Sequence, residues 1–135
     1  MTRALAELCA ALERIADALD AETATLRAGA REQFAAAAER KRLAIEAAEP
    51  LLERAQGSLR VVPAAGRAPL VQAARRLQAA CARNGEALED ALEATRRVLD
   101  CFAEAAKAAS MTGTYGPDGR ARPASEAHAT IERSA

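Results

Sequence analysis

Large apolar residues recur at Leu5, Leu8, Leu12, Ile15 and Leu19 in steps of three and four, which sets them on one stripe of an α-helix. Glu22 takes the next place in that stripe. It resumes at Leu26 and drifts through Ala30, Phe34, Ala37, Ile45 and Ala48, with no proline before Pro50. The pattern predicts a first helix of about 45 residues, roughly 70 Å long. Gly29 weakens it by about 1 kcal/mol, too little by itself to end so long a helix. Pro50 removes a backbone donor and crowds the preceding turn, so a kink or break is expected there, with Leu51, Leu52 and Ala55 adding further turns. Residues 57–69 (GSLRVVPAAGRAP) concentrate glycine and proline and read as the reversal between helices, with Leu59, Val61 and Val62 pinning the loop.

A second stripe follows Pro69, which suits the first helical position: Leu70, Ala74, Leu77, Cys81, Asn84, Leu88, Leu92, Thr95, Leu99, Phe102 and Ala106. Ser110 to Gly113 close this helix, and the remaining segment combines turn residues with few apolar anchors, predicting a flexible C-terminal tail. The expected fold class is all-α: a long antiparallel helical hairpin or a small coiled-coil-like helical bundle, with residues 1–110 as the helical domain and 111–135 as the tail. So thin a structure leaves apolar surface to be covered by something else, a partner or a second copy.

Composition supports this class. Alanine, leucine, glutamate and arginine dominate, aromatics are 2%, and there is no tryptophan. With 19 Lys+Arg against 19 Asp+Glu the net charge is zero, so the footprint of a nucleic-acid binder is missing and proteins are the expected partners. The first ten residues lack a signal-peptide pattern and no run approaches the ~18 apolar residues of a membrane span, so a cytoplasmic protein without membrane insertion is expected. Cys9, Cys81 and Cys101 are too far apart for a metal site or a disulfide framework and read as small packing residues. His128, the one histidine, falls in the tail, and no nucleophile, ligand set or phosphate loop is recognisable; no enzyme activity and no cofactor are expected.

Three features carry more than one reading. Glu22 either faces solvent where the stripe frays or meets a cation such as Lys41 or Arg76 across the bundle. Asn84, followed by Gly85, is either exposed or a buried polar residue that fixes register or oligomeric state. Tyr115, within the turn sequence Tyr-Gly-Pro-Asp-Gly, is either a loose exposed residue or a binding anchor.

Taken together these residues resemble the FlgN-type flagellar export chaperones. Glu22, Leu26, Phe34 and Lys41 follow the family's first-helix pattern, although Ala30 and Arg31 stand where it often has an acid. Arg83-Asn84-Gly85 with Leu88 resembles its asparagine-centred stretch, and residues 114–120 (TYGPDGR) resemble its tail motif. The resemblance implies a cytosolic helical chaperone that keeps the hook-filament junction (hook-associated) proteins unassembled and delivers them to the flagellar export gate. It also implies that the second helix and tail take up an amphipathic cargo helix, with Tyr115 helping to dock the gate. Leu92, Leu99, Phe102 and Met111 are the residues suited to such helix-in-groove recognition. The alternative is a structural coiled-coil scaffold whose stripe is satisfied by self-association as a homo-oligomer.

Overall fold

The computed structural model describes residues 2–112; Met111 and Thr112, expected in the tail, belong to the last helix, and the rest of the expected tail, with Tyr115 and His128, lies outside the described residues. These residues form three α-helices, α1 (Arg3–Ala28), α2 (Arg31–Val61) and α3 (Ala68–Thr112), with a 3-10 turn at Ala64–Arg67; among them there is no strand. The fold is all-α. The chain divides into two units, Met1–Ala91 and Leu92–Ala135.

The first unit is a three-helix bundle. Thr2 starts α1 by accepting a hydrogen bond from the Leu5 N–H through its hydroxyl. Against expectation, α1 ends at Gly29. That residue adopts the left-handed conformation (φ 65°), and the N–H groups of Gly29 and Ala30 donate to the carbonyls of Leu26 and Thr25, the reversed bonding of a Schellman cap. The expected 45-residue helix is therefore two antiparallel helices. Folding α2 back on α1 buries apolar faces that one straight helix would expose, which outweighs the small preference for continuing.

Pro50 does not break α2, which runs through it to Val61. Pro50 and Glu46 are both exposed, so the carbonyl that the proline leaves without a helical donor is open to water. The reversal into α3 is accordingly short, residues 62–67. Leu59 and Val62 pack on the core as expected, whereas Val61 is exposed.

Cross-helix contacts fix the topology. Glu22 of α1 meets Lys41 of α2, and Glu7 approaches Arg54, so those two helices are antiparallel. Glu13 pairs with Arg76 and Asp20 with Arg83, both across 63 residues, so α1 and α3 run parallel in constant register. One core cluster joins Ala11, Ile15, Ala16 and Leu19 of α1 to Ala48 of α2 and Ala80 of α3. A second joins Leu5 and Leu8 to Ala55, with Leu59, Val62 and Leu70 against it.

The core row of α3 differs from the leucine-led stripe. Ala73, Ala80, Asn84 and Ala87 are buried, with Leu77 packed among them, while Ala74 and Cys81 are exposed and Leu88 is only partly covered. The seam thus keeps Leu70, Leu77 and Asn84 of the expected stripe and takes Ala73, Ala80 and Ala87 in place of Ala74, Cys81 and Leu88, small residues that suit close helix packing. Ile45 of α2 is likewise exposed. Cys81 and Cys101 are exposed rather than packed; Cys9 is half-buried, and burial, reinforced by nearby Glu13, holds its thiol above the usual range.

This geometry makes three predictions. Gly29→Ala should lower unfolding free energy in urea by about 1 kcal/mol, because a Cβ is strained at positive φ. Gly85→Ala, in mid-helix with open space around it, should raise it by roughly 0.5–1 kcal/mol. In the folded protein a thiol reagent should modify Cys81 and Cys101 quickly and Cys9 slowly, the difference vanishing in denaturant; equal rates for all three would contradict the packing of Cys9.

Candidate partner-binding surface and buried polar layer

The interior of the first unit contains one polar layer, built from all three helices. Glu22 is 0% exposed, Asn84 4%, and Thr23 is buried beside them. Lys41 reaches in from α2 with its side chain 26% exposed. Its ammonium lies 2.9 Å from each carboxylate oxygen of Glu22 and donates a hydrogen bond to Oε1. Asn84 Nδ2 donates to the same oxygen at 3.0 Å and to Thr23 Oγ1 at 3.3 Å, while the Thr23 hydroxyl donates to the Leu19 carbonyl at 2.9 Å. An ionised carboxylate only accepts, so the amide must turn its NH₂ inward. Oε2 receives no hydrogen bond and is satisfied by the ammonium charge alone.

Of the two readings of Glu22, the cross-bundle pair is the one observed, and Lys41 is the cation. Arg76 instead bridges Glu13 and Asp17 outside the seam, where hydrogen bonds to Asp17 and then Glu13 raise the affinity of its guanidinium for its proton. Arg83 joins this row through Asp20, at 2.9 Å. These pairs are about half exposed and individually weak. Asn84 is buried rather than exposed. Leu26 and Phe34, half-buried, lie on either side of the Gly29 turn, outside the polar layer. Thr23 is a member that pattern reading missed; its only signal is adjacency to Glu22 on a stripe wide enough to face two helices.

The second unit supplies the other candidate site. Its described part, residues 92–112 of α3, bears Leu92 (51% exposed), Leu99 (61%), Phe102 (70%) and Met111 (68%), as expected, together with Val98, which the stripe had omitted. Positions 92, 95, 99 and 102 follow helical spacing, so the large side chains form one ridge. Tyr115, assigned to the same function, lies outside the described residues.

Comparison with known protein families, curated proteins and solved structures returns no match. Among the described residues, no group of three or more histidine, cysteine, aspartate or glutamate side chains could hold a metal ion. No helix among them is long and apolar enough to cross a membrane. What the arrangement offers is a bundle locked by a buried ion pair and a helical ridge of exposed apolar side chains.

Lys41→Met should destabilise the fold by about 2–3 kcal/mol, since it strands a buried carboxylate, the partial exposure of Lys41 tempering the loss. Adding Glu22→Leu to that variant should recover most of the stability in urea unfolding. A single Lys41→Met chain as stable as the parent would show that the carboxylate does not depend on this partner.

Proposed function

We propose that this chain is a cytoplasmic export chaperone of the FlgN type, which holds hook-filament junction proteins in an unassembled state and passes them to the flagellar export gate. The observation that carries the reading is the exposed ridge Leu92, Leu99 and Phe102. Single exposed leucines are unremarkable, but a row of them at helical spacing, next to Val98, is the kind of surface that an amphipathic helix covers. Burying two or three such side chains contributes about 1.5–3 kcal/mol each, enough for reversible capture once the cost of association is met. Further support comes from the resemblance: Glu22, Lys41 and Asn84, chosen from its motifs, meet in one buried layer.

On this reading the protein has no chemistry of its own and needs no cofactor. Cargo binds because its terminal amphipathic helix would otherwise expose apolar surface, and release follows when a tighter site is offered at the gate. Tyr115 contributes to that second contact.

Co-purification from cells producing the hook-filament junction proteins tests the proposal. The full chain should retain them, and Leu99→Ser with Phe102→Ser should release them while leaving helicity and melting unaltered. Tyr115→Ala should keep cargo and weaken gate binding. A chain that instead forms a stable dimer or tetramer in sedimentation, holds no cargo and loses self-association in the same double variant would be the self-associating scaffold.

A further inference from the structure

A short repeat lies within α3. Residues 73–77 read Ala-Ala-Arg-Arg-Leu, and 21 positions later residues 94–98 read Ala-Thr-Arg-Arg-Val. The likeness extends outward, with Val71 matched by Leu92 and Ala87 by Ala108. Three heptads separate the copies, so they fall on the same side of the helix to within a drift of about 60°, less than the width of an apolar face.

The first copy has a known occupant. Leu77 packs in the core against α1, and Arg76 reaches across to Glu13 and Asp17, acids four residues apart on that helix. In the second copy Val98 is 49% exposed, and Arg97, matching Arg76, pairs among the described residues with Glu93 on its own helix at 2.5 Å. Exposed intrahelical pairs of this kind are weak, so the guanidinium is available to an acid offered from outside. Departures between the copies are equally informative: Leu99 and Phe102 replace Gln78 and Cys81, which are exposed beside the α1-facing row. Glu104 stands where Arg83 binds Asp20, and Ala105 stands where Asn84 meets Glu22.

We infer that the face of α3 carrying Arg97, Val98 and Ala105, with Leu99 and Phe102 flanking it where Gln78 and Cys81 flank the first copy, docks a partner's amphipathic helix resembling α1 and running parallel to α3. Its signature is an acid at positions i and i+4, as at Glu13 and Asp17. A cation stands at i+7, to meet Glu104, and an apolar residue at i+9, opposite Ala105. This rests on the reading of the chain as a helix-binding chaperone and adds the direction and charge pattern of what it binds.

The test uses two fluorescein-labelled peptides of residues 3–28, both with Cys9→Ser and one also with Asp20→Lys and Glu22→Leu, titrated with the full chain and followed by anisotropy. The modified peptide should bind at least about fivefold more tightly than the other, and Arg97→Glu in the full chain should weaken it about tenfold. Preference for the unmodified peptide would signal exchange with the chain's own α1 and overturn the inference, as would indifference to Arg97→Glu or no binding. A dimer of the free chain dissolved by Arg97→Glu would assign the face to a second copy and also overturn it. Failure here with hook-filament junction proteins still retained removes this inference alone. Peptide binding without cargo retention removes the flagellar assignment instead.

Discussion

A carboxylate fully withdrawn from water must be met by a cation and by donors, and in the first unit that requirement falls on Glu22. Lys41 supplies the charge from α2 and Asn84 the amide from α3. The surrounding core is largely alanine, whose side chains are nearly interchangeable along a seam and define axial position poorly. Sliding α3 by one heptad would bring Leu77 or Ala91 to the place of Asn84, leaving the alanine contacts little changed but the acid without its amide. The polar layer thus selects the register, and the outer row of Arg76 and Arg83 against Glu13, Asp17 and Asp20 follows it. With α1 and α3 offset by 63 residues, Ala28, the last residue of α1, falls level with Ala91, where the first unit ends.

The α1 seam was legible because its positions are leucine and isoleucine, whose burial is strongly favoured and whose spacing is unambiguous. The α3 seam was legible only in part. Leu70, Leu77 and Asn84 hold their expected places, but in so alanine-rich a helix the pattern cannot choose between Ala74, Cys81 and Leu88 and their neighbours, and only the approach of α1 decides that Ala73, Ala80 and Ala87 face inward. The turn at Gly29 escaped notice for a related reason: local propensity differs by only about 1 kcal/mol between continuing and stopping, and tertiary burial decides. Pro50 misled in the opposite sense, because its position on an exposed face removes most of its usual cost. For the polar layer, residue types and spacing showed Lys41 as one candidate partner of Glu22 but could not choose between it and Arg76. That choice depends on the direction of α2, hence on the unforeseen turn.

The ridge at Leu92, Leu99 and Phe102 was legible from spacing alone, and its exposure fits a protein whose work is binding. The two units use α3 differently. In the first, its small-residue row is filled by α1; in the second, its large side chains stand in water. Folding within the chain and capture of a partner then draw on one physical device, an amphipathic helix laid along α3. The proposed chaperone differs from a static coiled coil only in that the second helix comes from another protein and leaves again.

Hydrogen–deuterium exchange across α3, recorded with and without a hook-filament junction protein, tests that claim most directly. Partner binding should slow amide exchange in residues 92–108 and leave residues 73–87 unchanged, since the latter are already covered by α1. Slowing confined to the first unit, or none in α3, would contradict the account.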